Sequence, residues 1–225
     1  MVKRIVLAAT VIILFTNMSF AITAEEIFTR MKEAQNSIKQ IKYKVTTILD
    51  IVSVNTTRKP CPDCPEVEYI KIKVPNTIVN ELTIYLKSSG QYRMEFHAEG
   101  MSDFVDIYNG SKMWRYYPNT KKAIDVESNE IGKKLAPINI IKTADIENGI
   151  DFEIIGQETL DNEECILINK KGYIKLWISK NNWLVKKRQI IDSNNNGVTN
   201  IYEEIEINPN MDDSLFNFVS PEGTK

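Results

Sequence analysis

The chain has 225 residues, 43% of them hydrophobic and 26% charged, with a formal net charge of −2 at pH 7. That length and apolar content allow a sizeable core, and the slightly acidic balance offers a phosphate backbone nothing to grip, which excludes nucleic acid as a partner. With one histidine and three cysteines, the chain is also poor in nucleophilic and metal-ligating side chains.

The first residues address the chain for export. Met1-Val2-Lys3-Arg4 is basic, Ile5 to Phe15 is almost wholly apolar, and Ser19-Phe20-Ala21 places small residues where a signal peptidase reads. That is the layout of a secretory signal peptide, and the apolar run is shorter than the roughly 20 residues a membrane span needs. Cleavage after Ala21 is expected, with residues 1–21 as signal peptide and 22–225 as a single soluble domain. No cysteine lies near the cleavage point, so no lipid anchor is expected. Loss of Lys3 and Arg4 leaves 26 basic against 30 acidic residues, a net charge of −4.

Thr23-Ala24-Glu25-Glu26 opens as a capping box, and Ile27, Met31, Ala34 and Ile38 then recur at helical spacing, which predicts an amphipathic helix over 24–38. The period changes to two from Tyr43 through Val45, Thr47, Leu49 and Ile51, and again at Leu82-Ile84-Leu86 and Tyr92-Met94-Phe96. Such alternation marks antiparallel strands with one solvated face. Further strands are predicted over 67–74, 103–108, 112–117, 122–126, 151–158, 164–169, 173–179, 183–191 and 199–207. Ser88-Ser89-Gly90, Asn109-Gly110, Asp161-Asn162 and Asn195-Asn196-Gly197 supply tight turns between them. Residues 127–149 break the meander, and Ile131, Leu135, Ile138, Ile141 and Ile146 around Pro137 predict two short amphipathic helices. The fold class is α+β, a helix followed by a long antiparallel meander.

Little in this sequence points to catalysis. His97 stands on the polar side of a strand pattern, and no nucleophile elbow, phosphate loop or dinucleotide fingerprint occurs. Cys61-Pro62-Asp63-Cys64 lies among prolines before a strand. A disulfide pinning a loop is favoured over a redox or metal centre, which would need a helix opening or further ligands. Cys165 has strand-like apolar neighbours and reads as a buried free thiol. Asp192 to Gly197 with Glu203 matches a calcium-loop pattern, but its flanks read as strands and a polar hairpin tip explains the same letters. No enzyme activity, cofactor or metal is expected.

Three longer stretches carry a resemblance. Tyr85-Leu86-Lys87-Ser88-Ser89-Gly90-Gln91-Tyr92-Arg93-Met94-Glu95, Tyr108-Asn109-Gly110 through Trp114-Arg115-Tyr116-Tyr117-Pro118, and Asn208-Pro209-Asn210 through Leu215-Phe216-Asn217-Phe218 to Gly223 are similar, in that order, to motifs of the LolA-like superfamily of exported carriers. The resemblance implies an unclosed antiparallel β-barrel, with amphipathic helices covering its apolar concave face. It implies a monomeric periplasmic protein that binds the acyl chains of lipoproteins, or another lipid. An inner-membrane transporter would release that cargo and an outer-membrane acceptor would receive it. The superfamily also holds stress-sensing regulators, so a lipid- or envelope-stress-sensing interaction module without transport is the alternative. Parity along the strands assigns the cavity lining to Tyr43, Leu86, Met94, Phe96, Trp114 and Tyr116, with Ile27 and Met31 from the helix.

Overall fold

The computed structural model describes residues 22–58, 69–126, 151–192 and 196–224, with the backbone alone for 52–58 and 69–76. Residues 1–21, Cys61, Cys64 and the two helices expected within 127–149 lie outside the described residues.

Helix α1 spans Ala24–Asn36, and Thr23 caps it, its Oγ1 accepting from the Glu26 backbone N–H at 3.1 Å. Glu25 and Glu26 in the first turn complement the positive end of the helix dipole. Ile27 and Met31 are fully buried on one face. The helix stops short of the expected Ile38 because Ser37 closes it, its Oγ donating to the Ala34 carbonyl. Thr23→Ala is expected to lower stability by about 1 kcal/mol, read as a shift of the urea midpoint.

Among the described residues, eleven strands follow in one antiparallel sheet. They are β1 (Gln40–Arg58), β2 (Tyr69–Lys87), β3 (Tyr92–Ala98), β4 (Phe104–Tyr108), β5 (Met113–Tyr117), β6 (Lys122–Val126), β7 (Phe152–Leu160), β8 (Glu163–Lys170), β9 (Ile174–Ser179), β10 (Val185–Ile191) and β11 (Gly197–Ile207). The order is β6-β5-β4-β3-β2-β1-β11-β10-β9-β8-β7, two meanders joined where the first strand pairs with the last. Among the described residues the edges β6 and β7 do not pair, and the sheet is unclosed. Gly90 (φ +91°) and Gly110 (φ +100°) supply the left-handed backbone that two of the hairpin turns require.

Strands expected separately at 67–74 and 81–86 are one strand, β2. Pro75 lies inside it, opposite Val52. Pairing of β2 with β3 begins only at Asn80, and pairing of β1 with β11 ends at Asp50. Among the described residues the β1–β2 hairpin therefore continues past the rest of the sheet as a two-stranded ribbon, where Pro75 has one neighbouring strand and not two.

Met113 of β5 and Phe152 of β7 belong to one buried cluster together with Ile27 and Met31 of α1. Nine strand spacings separate β5 from β7, about 40 Å if the sheet were flat. One helix can share a cluster with both only if the sheet curls around it. Among the described residues α1 is the single α-helix; the other covering helices expected, within 127–149, lie outside them.

The C-terminal tail packs on the outer face. Its 3-10 turn, Asp213–Phe216, buries Phe216 completely beneath Lys87, whose Nζ lies 4.7 Å from the ring centroid and also pairs with Asp213.

Candidate binding face

Among the described residues, burial on the concave face falls from the end that α1 covers toward the other end. Along β1, Ile41, Tyr43 and Val45 are buried, Thr47 and Leu49 are half-buried, and Ile51 is 41% exposed, all on the same side. β2 repeats the gradient from buried Leu86 and Ile84 to half-buried Leu82, Asn80 and Ile78. Phe96 of β3 is opposite Leu82 on one side and Phe104 of β4 on the other, and the two rings stack at 4.6 Å between centroids. The result is an apolar surface formed by Leu49, Ile51, Ile78, Leu82, Phe96 and Phe104, on the side that α1 covers elsewhere.

Ile27, Met31, Tyr43, Leu86 and Met94 come together in the sealed cluster beneath α1. Phe96 lies beside them on the open part. Trp114 and Tyr116 do not join this set. In β5 the concave side is taken by Met113, opposite Tyr108, and by Arg115, opposite Asp106. The pleat therefore turns Trp114 and Tyr116 to the outer face, where Phe218 stacks on Trp114 at 6.1 Å and lies tilted against Tyr116 at 5.9 Å. Their assignment to the lining is corrected by this one-residue parity.

One ion pair is embedded in the concave face. Asp106 is fully buried, and Arg115 grips it with Nε and Nη2, each at 2.7 Å. The Arg115 guanidinium also lies 4.1 Å above the Phe104 ring. Hydrogen bonding to Asp106 raises the Arg115 pKa further above its ordinary value.

Burial, with a smaller contribution from Asp106, pushes the Tyr92 phenol up to about 12, and burial does the same for Tyr202. Both pKa values rise on folding from about 10, so the stability these phenols contribute is complete below pH 10 and is lost as pH climbs through 12. Native protein is expected to resist phenolate formation at these two positions until it unfolds in that window, measured by phenolate absorbance alongside circular dichroism.

The remaining chemistry-bearing groups are engaged elsewhere. His97 is exposed, with Nδ1 2.8 Å from Asp103. Cys165 is buried, and burial pushes its thiol up, away from reactivity. Asp192 uses both carboxylate oxygens on Asn196, accepting its backbone and side-chain N–H at 2.8 Å each. Glu203 sits across from Lys44 in β1 and accepts from Thr46 Oγ1 at 3.3 Å. Residues 193–195 of the calcium-like loop lie outside the described residues.

No family model matches the sequence, and no curated protein matches it. Solved structures do. Among them is a LolA superfamily protein from Nitrosomonas europaea. It is 11% identical over 88% of this chain and 99% of its own, with a TM-score of 0.36. LprF from Mycobacterium bovis is 13% identical over 84% of this chain and 94% of its own, with a TM-score of 0.47. The MucA/MucB complex of Pseudomonas aeruginosa supplies a third, 10% identical over 85% of this chain and 60% of the matched one, with a TM-score of 0.42.

Proposed function

We propose that the chain is an exported periplasmic carrier that binds the acyl chains of lipoproteins, or of a related lipid, on the open part of its concave sheet. The carrying observation is the burial gradient on that face. Leu49, Leu82, Phe96 and Phe104 remain half-buried and Ile51 is exposed, in line with a core that α1 has sealed. A contiguous apolar surface left partly wet in this way marks a site for an apolar partner.

Each methylene moved from water to such a surface contributes about 0.8 kcal/mol, so an acyl chain of a dozen carbons gains roughly 9 kcal/mol before ordering costs. No bond is made or broken, and the role needs no cofactor. Ile27, Met31, Tyr43, Leu86 and Met94 extend the surface inward if α1 lifts, whereas Phe96 is available without that movement. An inner-membrane transporter would load such a carrier and an outer-membrane acceptor would unload it, with the carrier working as a monomer.

The test is uptake of 11-(dansylamino)undecanoic acid by residues 22–225. Saturable binding with a blue-shifted emission supports the reading. A flat titration, with an envelope signalling protein co-purifying in place of lipid, would replace it with the sensory interaction module.

A further inference from the structure

One row on the concave face breaks the apolar pattern. Thr47 of β1 is opposite Asn80 of β2 and Asn200 of β11, and Asn200 is opposite Arg188 of β10. These four polar side chains therefore stand side by side across four adjacent strands. The next row on one side is Leu82, Val45 and Tyr202; on the other it is Ile78, Leu49, Val198 and Ile190.

Within the row, Thr47 Oγ1 donates to Asn200 Oδ1 at 2.9 Å. The two ends are not satisfied. Four buried side-chain polar atoms among the described residues lack a partner, and two of them, Asn80 Oδ1 and Arg188 Nε, are in this row. Arg115, also on this face, is neutralised by Asp106. Arg188 makes no comparable pair among the described residues, and its neighbour in β9 is the buried Leu176. A half-buried guanidinium with an unused N–H, in an apolar surround, is a strong donor without an acceptor.

We propose that this row is a head-group site for a fatty carboxylate. The ionised carboxylate accepts from the fork of Arg188 with the Asn200 side chain beside it, and the acyl chain lies over Leu49, Leu82 and Phe96; Asn80, at the far end of the row with an acceptor Oδ1, takes no part in holding the anion. The planar fork matches a carboxylate in a bidentate manner. Same-face rows are about 7 Å apart along a strand, so the head group has apolar side chains on both sides of the row, and a singly charged carboxylate costs less to desolvate there than a doubly charged phosphate. The inference rests on the carrier reading and narrows its cargo, since the ester of a lipoprotein acyl group carries no charge for Arg188 to meet.

The experiment compares cis-parinaric acid with its methyl ester, both binding to residues 22–225, in native protein and in Arg188→Met. Native protein is expected to bind the acid at least about tenfold more tightly than the ester. Arg188→Met is expected to abolish that preference while ester affinity stays within about twofold, and Arg188→Lys, which keeps the charge, to retain part of it. The comparison within native protein needs no variant, so a folding defect in Arg188→Met leaves the claim testable. Equal binding of acid and ester, or a preference that survives in a folded Arg188→Met, overturns the head-group assignment and leaves the carrier reading standing. Dodecyl phosphate displacing the probe better than dodecanoate overturns the choice of carboxylate. Binding of neither acid nor ester overturns the carrier reading as well.

Discussion

Replacing Arg115 with methionine is expected to destabilise the protein by about 3–5 kcal/mol, because it leaves the Asp106 carboxylate buried with no counter-charge. Asp106 is 0% exposed, whereas the Arg115 side chain is 32% exposed, so the two halves of the pair are not equivalent. Asp106→Asn keeps a polar side chain against a guanidinium that water can reach, and is expected to cost distinctly less. The double variant Asp106→Leu/Arg115→Met removes both charges and is expected to recover most of the stability lost in Arg115→Met. Urea unfolding followed by tryptophan fluorescence checks all three. A loss below about 1 kcal/mol in Arg115→Met would mean that the carboxylate reaches water, as an exposed pair would.

The second large effect concerns the open face. Leu82→Asp puts a charge between Val45 and Phe96, in the middle of the surface assigned to the acyl chain. Binding of the dansyl probe is expected to weaken at least about tenfold, because the chain would have to desolvate a carboxylate to lie there. Phe218→Ala tests the opposite side of the sheet. It strips the cover from Trp114 and Tyr116 and is expected to cost about 2–4 kcal/mol of stability while probe affinity is unchanged. Equal loss of binding in both variants would mean that the probe reports the state of the fold and not of one face.

Much of this architecture is legible from residue order alone. The capping box at Thr23, the change of period at Tyr43 and the glycine-bearing turns place α1 and most strands within a residue or two. Two features resist. The first is parity in β5, Met113-Trp114-Arg115-Tyr116-Tyr117, where large apolar or aromatic side chains occupy both sides. Alternation is then silent, and only Phe218, about a hundred residues later, makes the outer side apolar. Strands β3 and β1 alternate cleanly, and there Met94 and Tyr43 fall on the expected side. The second is the extent of β1 and β2. Proline at 75 reads as a break in a strand, and the ribbon that tolerates it emerges only once the pairing partners are known.

The polar row leaves no local trace in the sequence. Thr47, Asn80, Asn200 and Arg188 are far apart in sequence and each is unremarkable in its own strand. Register alone makes them neighbours, and nothing in local periodicity distinguishes a half-buried arginine from one that faces solvent. Asp106 and Arg115 are hidden for the same reason: they are an ion pair only because β4 and β5 align at that position.

Acyl-chain binding is tested most directly by native mass spectrometry of the protein purified gently from the envelope of cells that produce it. A population carrying the mass of an acylated molecule is expected, lost when Leu82→Asp is introduced. A uniform unliganded mass, unchanged after incubation with acyl lipid, would contradict it and would make the half-buried face an ordinary part of the surface.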